Sequence, residues 1–468
     1  MSQIKQMNNN KPNRLEIKPI TYKNTLAIEL FNLVESQPWA MLLRSPSPSH
    51  IDSRFDILVV NPVATLTTTG DKTCLVKKGH ISESQQDPFE LLKQIQSELL
   101  PEIDYQGELP FIGGALGYFA YDLGRRVERL PVIAEQDLTT PDMAVGIYDW
   151  AVVVDHQTKQ AFVVGVDVDI EARWQWLQLQ TSESNKAFSL TSDWQSNMTK
   201  ASYSDKFHQV QEYLRCGDCY QINLAQRFNA EYQGSEWQAY LELEQVNQGP
   251  FSAFVRTDKS AIISVSPERF LQVKQGKIET KPIKGTRPRH VDETLDQQAA
   301  DELAHAEKDQ AENLMIVDLL RNDVGRVAKP GSVHVPKLFE IESFPAVHHL
   351  VSTIRAQLDD GFAAADLLRA SFPGGSITGA PKIRAMEIIE ELEPHRRSAY
   401  CGSIGYISRH GAMDTSITIR TLVAENNQLY VWAGGGLVAD SQCDSEYQET
   451  LDKLSRILPV LSRQRREH

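Results

Sequence analysis

The order of strand-like and helix-like segments most constrains how this chain can fold. Short runs rich in Val, Ile and aromatic residues predict strands, and apolar residues at helical spacing predict helices. The predicted strands are 55–60, 144–154, 160–168, 261–266, 403–408, 416–423 and 429–433, and the predicted helices are 88–100, 203–215, 236–245, 294–320, 363–371 and 382–392. Strands and helices come in blocks rather than in strict alternation. The pattern therefore favours an antiparallel-rich α+β fold over a doubly wound parallel sheet.

Charge and hydropathy exclude several classes of protein. The 468 residues include 48 Lys plus Arg and 62 Asp plus Glu, which gives a formal net charge of −14. This acidic balance argues against nucleic-acid binding, because contacts to phosphates need an excess of basic surface. We find no apolar run of about 18 residues and no signal-peptide pattern, so we expect a cytoplasmic protein without a membrane segment. Five cysteines fit reduced thiols better than a disulfide framework.

Glycine and cysteine motifs give weaker signals. The glycine clusters at 113–117 and 374–382 lack the spacing of phosphate-binding loops. A C-x-x-C motif at 216–219 has no second pair to complete a zinc site, so we interpret these cysteines as incidental thiols. Three glycines at 434–436 directly follow a predicted strand. Their bare N–H groups suit a carboxylate ligand, although a plain turn is the alternative.

Two pairs of acids lie at helical spacing. Asp309 and Glu312 share one face of the predicted helix 294–320. Glu446 and Glu449 flank the apolar stripe of a C-terminal helix that we expect to run on to residue 461. Each pair alone is typical of a solvated helix face. Pairs from two helices can instead converge on Mg²⁺, which needs few carboxylates when water and an anionic substrate complete its shell.

Two further residues can carry acid–base or nucleophilic chemistry. Lys284 lies in the Pro-bounded segment PIKGT at 282–286 and is either a surface charge or, if desolvated, an amine nucleophile or base. Glu268 closes a predicted strand and is either a general acid or the ion-pair partner of Arg269. The residue types alone leave both alternatives open.

Several motifs together resemble those of the chorismate-utilising enzymes. They are DLLRND at 318–323, FPGGSITGAPK at 372–382, IRT at 419–421, AGGG at 433–436 and EYQE at 446–449. Segments 42–45, 53–55 and 111–126 resemble the amino-terminal part of large subunits in the same family. The resemblance implies an α+β fold in which large antiparallel β-sheets pack as a sandwich with helices on the outside. It also implies an amino-terminal region at 1–190 and a catalytic region at 191–468, interleaved in one globular unit.

The resemblance assigns roles to the candidate residues. Mg²⁺ is expected on Glu312 and Glu446, with Asp309 and Glu449 in support. The substrate-binding residues are expected to be Tyr400, Arg420, Lys453 and the amides of Gly434, Gly435 and Gly436. The expected catalytic residues are Lys284, Glu268, which would protonate the departing 4-hydroxyl of chorismate, and His349, which matches a family active-site position.

The branch of the family is implied by single positions. Members that form anthranilate typically carry Ala where Lys284 stands, and members that add water use a lysine at the position of Gln221. The resemblance therefore implies that Lys284 attacks C2 of chorismate and that ammonia then displaces it. The product would be 4-amino-4-deoxychorismate, a precursor of p-aminobenzoate and folate. An anthranilate-forming enzyme and a catalytically inactive tryptophan-binding regulatory protein are the two alternatives.

Two further partners follow from the resemblance. Because no glycine-flanked cysteine elbow is present, we expect ammonia to come from a separate glutamine amidotransferase subunit. A tryptophan pocket is expected, with either a structural or a regulatory role, since Arg44 stands where regulated members carry an acid. Ordinary packing of two phenylalanines is the alternative. The expected lining is Ser45, Asp52, Ser53, Arg54, Phe55, Pro250, Phe251 and Ser252.

Overall fold

Two large antiparallel sheets form the framework of the protein. The computed structural model describes residues 14–47, 50, 52–182, 186–343 and 347–463. In spatial order the first sheet contains Leu15–Ile20 (β1), Gln160–Val166 (β10), Trp150–Asp155 (β9), Phe55–Val59 (β3), Met41–Arg44 (β2), Phe251–Arg256 (β14), Ser260–Ser266 (β15), Thr421–Glu425 (β24), Gln428–Leu437 (β25), Gln221–Gln233 (β13) and Ser189–Leu190 (β11). Two short strands also pair with β13, namely Gln195–Ser196 (β12) and Gly379–Ala380 (β21).

The second sheet lies against the first. Its strands in spatial order are Ile283–Pro288 (β18), Val347–Gln357 (β20), Lys277–Thr280 (β17), Arg269–Lys274 (β16), Met413–Ile417 (β23), Ser403–Ser408 (β22), Gly114–Phe119 (β7), Met143–Tyr148 (β8), Ala64–Thr69 (β4), Lys72–Lys77 (β5) and His80–Ser84 (β6). The strand His334–Ser343 (β19) pairs with β20.

Helices cover the outer faces of this pair of sheets. They are Leu26–Phe31 (α1), Pro88–Leu99 (α2), Ile170–Gln178 (α3), Lys200–Cys216 (α4), Glu236–Asn247 (α5), Glu293–Ala304 (α6), Glu307–Gly325 (α7), Ala364–Ser371 (α8), Lys382–Leu392 (α9), Cys443–Lys453 (α10) and Leu458–Leu461 (α11). In the described part of the chain, none of them has the length and apolar character needed to cross a membrane.

The main hydrophobic core fills the space between the two sheets. Ile57 and Val255 of the first sheet belong to the same buried cluster as Leu66, Leu116 and Leu271 of the second. A second cluster joins the opposite face of the first sheet to α1, α3, α5 and α11. These layers confirm the expected sandwich of large antiparallel sheets with helices outside.

Strands from both halves of the chain share each sheet. Leu42 of β2 pairs with Phe254 of β14, and Gly117 of β7 pairs with Gly405 of β22. Each sheet is therefore built from strands on both sides of residue 190. The proposed region boundary at that residue stays a prediction.

Three predicted elements are wrong in their continuity. The predicted helix 294–320 is two helices, because the chain breaks at 305–306 between α6 and α7. The predicted strand 144–154 is β8 in the second sheet followed by β9 in the first, and 416–423 divides in the same way into β23 and β24. Every residue of β8 and β9 is buried. An uninterrupted apolar run therefore gives no sign of where the chain changes sheets.

Candidate active site

Two neighbouring crossings between the sheets form one end of a deep cavity. The chain passes from β15 to β16 through 267–268, and from β23 to β24 through 418–420. The crossings lie side by side, since the backbone N–H of Ile417 donates to the carbonyl of Glu268 at 3.0 Å. Glu268 and Arg420, one from each crossing, consequently line the same cavity.

This cavity, of about 820 Å³, brings the sequence-predicted active-site residues together. Gly435 is absent from its wall, but a Cβ placed on that residue would lie 3.1 Å from Glu446 and 3.5 Å from Glu449. The predicted residues that line the cavity are Glu268, Lys284, Asp309, Glu312, His349, Tyr400, Arg420, Gly434, Gly436, Glu446, Glu449 and Lys453.

The side chains of Lys284 and Glu268 lie in the same cavity and attract each other when both are charged. The amine of Lys284 makes no hydrogen bond or ion pair in the part of the chain that the structure describes, and burial lowers its pKa against the attraction of Glu312 and Glu268. Burial raises the pKa of the Glu268 carboxyl, and a hydrogen bond from Ser376 partly offsets this rise. Desolvation thus favours a neutral amine and a protonated acid, the forms needed for nucleophilic attack and proton donation.

Glu268 is not the ion-pair partner of its neighbour. The Arg269 guanidinium instead binds Asp52 at 2.6 Å and Asp414 at 2.9 Å, and it lies over the ring of Phe251 at 5.0 Å. The alternative that Glu268 merely neutralises Arg269 is therefore wrong. Its carboxyl is left available to the cavity.

A bulge at Gly285 sets the position of Lys284. The register of β18 shifts between Lys284 and Thr286, and Gly285 has a φ of 71°, in the region that favours glycine. A Cβ at Gly285 would lie 2.8 Å from the Asp309 carboxyl carbon and 2.7 Å from a methyl of Leu303. Glycine therefore lets the strand approach the end of α6 and the first turn of α7, where Asp309 lies.

His349 lies on β20 next to the bulge. Its Nδ1 is 2.9 Å from the Thr286 hydroxyl. Burial, followed by the nearby Arg420 guanidinium, lowers the pKa of His349 to about 4. The imidazole is therefore neutral near pH 7 and can exchange a hydrogen bond with a substrate without adding a positive charge.

The two acid pairs project from separate helices. Asp309 and Glu312 lie near the N-terminus of α7, and Glu446 and Glu449 lie on α10. Burial, with smaller contributions from neighbouring acids, raises the pKa of Glu312 and of Glu446. No three His, Cys, Asp or Glu side chains among the described residues form a ready-made metal cluster. A cation held here would therefore depend on water and substrate oxygens as well as the carboxylates.

The cationic side chains of the cavity differ in their availability. Within the described ranges the Arg420 guanidinium makes no hydrogen bond or ion pair, and its residue has a left-handed φ of 51°. Lys453 is already engaged, since its Nζ lies 2.6 Å from Glu449 and donates to the Gly434 carbonyl at 2.8 Å. Arg420 is consequently the guanidinium most ready to bind a carboxylate.

Two local expectations near the C-terminus are wrong. The three glycines do not follow a strand end, because β25 continues to Leu437 and pairs with β13 throughout 434–436. The C-terminal helix stops at Lys453, and the residues that α10 buries are Glu446 and Thr450 rather than an apolar stripe. The Thr450 hydroxyl accepts from the Gln226 amide at 2.6 Å, which explains how a polar face can be buried.

Sequence reasoning missed several residues of the cavity wall. Ser376 lies in the recognised segment 372–382, so the motif pointed to its neighbourhood but not to the hydroxyl itself. The ring of Trp432 stacks on Tyr400 with centroids 6.2 Å apart and forms an aromatic wall. Asn223, Arg287 and Lys308 are further polar examples.

A second cavity, of about 80 Å³, lies between the sheets. Arg54 does not line it, because its guanidinium turns to Asp155 and Glu108, and Ser53 is also outside its wall. Arg44 borders the cavity but is paired with Asp56 and Glu244. The predicted residues that line it are Ser45, Asp52, Phe55, Pro250, Phe251 and Ser252.

A family model described as chorismate binding enzyme matches residues 40–459. The chain belongs to the chorismate-binding enzymes. This chorismate-binding enzyme is 58% identical over 433 residues to aminodeoxychorismate synthase component 1 of Escherichia coli (strain K12), covering 92% of this chain and 95% of the relative. It is 35% identical over 449 residues to anthranilate synthase component 1 of Aquifex aeolicus (strain VF5), covering 92% and 90%.

A solved structure supports the fold of this chorismate-binding enzyme. The crystal structure of anthranilate synthase component I from Streptococcus pneumoniae TIGR4 superposes with a TM-score of 0.76 at 33% identity, covering 88% of this chain and 93% of that one. The family resemblance and the fold expected from the sequence are both confirmed.

The bulge yields a test of how this chorismate-binding enzyme positions its lysine. Gly285→Ala and Gly331→Ala both place a side chain at positive φ, at 71° and 75°, but only Gly331 has open space around it. We expect Gly331→Ala to lose about 1–2 kcal/mol of unfolding free energy in urea titrations, and Gly285→Ala to lose more, because its Cβ also meets Leu303 and Asp309. Only Gly285→Ala should also lose chorismate turnover with ammonium, by at least about tenfold, because a small misplacement of a catalytic group is costly. Equal activities in the two variants would contradict this role for the bulge.

Proposed function

We propose that this enzyme is the chorismate-aminating component of an aminodeoxychorismate synthase. It converts chorismate and ammonia into 4-amino-4-deoxychorismate, which serves p-aminobenzoate and folate synthesis. The observation that carries the proposal is that Lys284, whose amine has no hydrogen-bond or ion-pair partner among the described residues, shares one cavity with the buried acid Glu268. The names and identities of the relatives favour this function over anthranilate formation and over a catalytically inactive tryptophan-binding protein.

Chorismate is a dianion, so binding requires local positive charge in an acidic protein. The Arg420 guanidinium, which has no partner in the described part of the chain, can bind one carboxylate through two N–H groups. One edge of β25 pairs with β13 along 434–436. The other edge pairs with β24 only as far as Val431, so beyond that residue it can offer backbone groups of the glycine segment to the substrate. Lys453 can turn from Glu449 to the second carboxylate. His349 and Tyr400 complete the wall around the ring.

The first chemical step forms a covalent adduct. The neutral Lys284 amine attacks C2, the ring double bonds shift, and the C4–O bond breaks as Glu268 gives its proton to the departing hydroxyl. Water leaves, Glu268 becomes a carboxylate and the nitrogen at C2 carries a positive charge. The enolpyruvyl ether is untouched in this step.

The second step releases the lysine. Ammonia attacks C4, the double bonds shift back, and the bond between C2 and the Lys284 nitrogen breaks. The new ammonium group at C4 returns a proton to Glu268, which restores both catalytic residues. The net change replaces the 4-hydroxyl by an amino group and yields one water.

We also propose that Glu312 and Glu446 hold Mg²⁺, with Asp309 and Glu449 nearby. The donors are hard oxygen ligands from two helices, and the raised pKa of both glutamates reflects buried negative charge that a divalent cation would compensate. Such an ion would polarise the ring carboxylate of the substrate as charge shifts.

A titration tests the proposed Mg²⁺ ligands. Glu446→Gln keeps the size of the side chain and removes its charge, so the Mg²⁺ concentration for half-maximal turnover should rise by at least about tenfold. Asp444→Asn on the same helix is the control, because Asp444 is 85% exposed and pairs with Lys200. Identical titrations for Glu446→Gln and the wild type would remove Glu446 from the site.

Ammonia is proposed to come from a separate glutamine amidotransferase subunit in the cytoplasm. The relatives that match over most of the chain are named component 1, which agrees with a second component. Free ammonium should replace that subunit at high concentration, so the chain can be tested alone.

Product identity and loss of the amine test the proposed reaction. With chorismate, Mg²⁺ and ammonium, the wild type should form 4-amino-4-deoxychorismate without pyruvate. Lys284→Ala should slow this by at least about 10³-fold, and Lys284→Arg should be equally slow, because it keeps the charge but lacks a nucleophile. Mass spectrometry should find an adduct on the wild type alone. Anthranilate fluorescence with pyruvate release would instead support the anthranilate-forming alternative.

We further propose that the second cavity binds L-tryptophan. Its volume of about 80 Å³ is below the roughly 300 Å³ of a typical ligand pocket, so Phe55 and Phe251 must move apart around an indole. Calorimetry should show binding of L-tryptophan but not of L-phenylalanine at equal concentration. Turnover assays with tryptophan then separate a regulatory from a structural role. Absence of binding heat together with an unchanged Tm would leave ordinary packing as the function of this cavity.

A further inference from the structure

A short turn delivers a hydroxyl to the catalytic carboxyl. Residues Gly375–Ile377 form one helical turn, and the Ser376 hydroxyl donates to Oε1 of Glu268 at 3.1 Å. In the described part of the chain this is the one hydrogen bond that the carboxyl receives, which leaves Oε2 without a partner. The hydroxyl and the carboxyl both belong to the wall of the 820 Å³ cavity.

We propose that Ser376 is a positioning residue that fixes the Glu268 carboxyl and keeps its transferable proton on Oε2. The inference rests on the proposed role of Glu268 as the general acid. A carboxylic acid carries its proton on one oxygen only. Since Oε1 accepts from Ser376, protonation there would require the serine hydroxyl to give up its role as donor and direct its own hydrogen elsewhere. The proton therefore resides on Oε2.

The hydroxyl can act in this way because its turn is rigidly held. The Thr378 hydroxyl donates to the Gly374 carbonyl at 3.0 Å, which closes the turn. Gly375 packs directly on Leu319 of α7, leaving no room for a Cβ. Because its turn is fixed, the Ser376 hydroxyl can orient the Glu268 carboxyl. A hydroxyl on a mobile loop would instead adjust to the position of the carboxyl.

A buried ion pair anchors the far end of the same segment. Lys382 donates to Asp323 of α7 at 2.6 Å and to the Ser371 carbonyl at 3.0 Å. The Asp323 side chain is buried and that of Lys382 is 11% exposed, so removal of either partner would leave a charge largely shielded from water. The serine turn is thereby fixed to the helix that also carries Glu312.

The hydrogen bond from Ser376 also affects the pH range over which Glu268 is protonated. Burial raises the pKa of Glu268, and the bond from Ser376 opposes that rise, because a hydroxyl donor stabilises the carboxylate. Removing the donor should raise the pKa of Glu268 further. Glu268 must be protonated to act, so the limb of the pH profile that it governs should move to higher pH while the limb set by Lys284 stays.

Three variants of Ser376 test this role with chorismate and ammonium. Ser376→Ala should lower kcat by at least about tenfold, with KM for chorismate changed by less than about twofold and one pH limb shifted upward. Ser376→Thr retains the hydroxyl and should recover most of kcat and the wild-type pH limb. Ser376→Val has nearly the shape of threonine without its donor and should resemble Ser376→Ala. The Thr and Val pair keeps the test decisive even if the alanine variant folds poorly.

Several outcomes would overturn the inference. A raised KM at constant kcat would mean that Ser376 contacts the substrate instead of the acid. A lower kcat in both Thr and Val variants, with no shift of either pH limb, would reduce Ser376 to packing. These comparisons follow chorismate consumption among variants, whereas the product formed by the wild type tests the proposed function. Failure of one is therefore distinguishable from failure of the other.

Discussion

The paired crossings between the two sheets are the constraint on which the active site depends. Where β15 becomes β16 and β23 becomes β24, one antiparallel ladder leaves the first sheet and joins the second. Hydrogen bonds continue across this bend, with Ile417 donating to Glu268 and Val265 donating to Arg420. The bend separates the sheets and leaves a cavity beside it. The backbones of Glu268 and Arg420 are therefore fixed by pairing between strands, which is more rigid than a loop.

Desolvation in this cavity shifts the protonation equilibria of Lys284 and Glu268. Lys284 and Glu268 are shifted in opposite directions by the same cause, because burial disfavours the charged form of each. A net charge of −14 does not prevent binding of a dianion, since the Arg420 guanidinium lines the cavity and is unpaired in the described ranges. Local geometry, and not the overall charge, decides what the site attracts.

Much of the fold and site was predictable, and the failures have definite causes. Helix 382–392 was predicted at its observed bounds, because its apolar face has clear helical spacing. The division of 144–154 into two strands was not predictable. Strands buried on both faces show no alternation of apolar and polar residues, so nothing in the sequence marks where one strand ends and the next begins. Ser376 was missed for another reason. A single serine in a glycine-rich motif has no pattern, and only its 3.1 Å contact with Glu268 gives it a role.

The sequence by itself determined the family, the antiparallel α+β class and part of the set of residues around the cavity, since these depend on residue type and local spacing. Tertiary structure alone decided which alternatives hold for those residues. Arg269 binds Asp52 and Asp414 rather than Glu268, Lys284 is desolvated, and the glycines lie within a paired strand. The physical reason is that desolvation and partner choice depend on contacts between segments far apart in the chain, which local spacing does not encode.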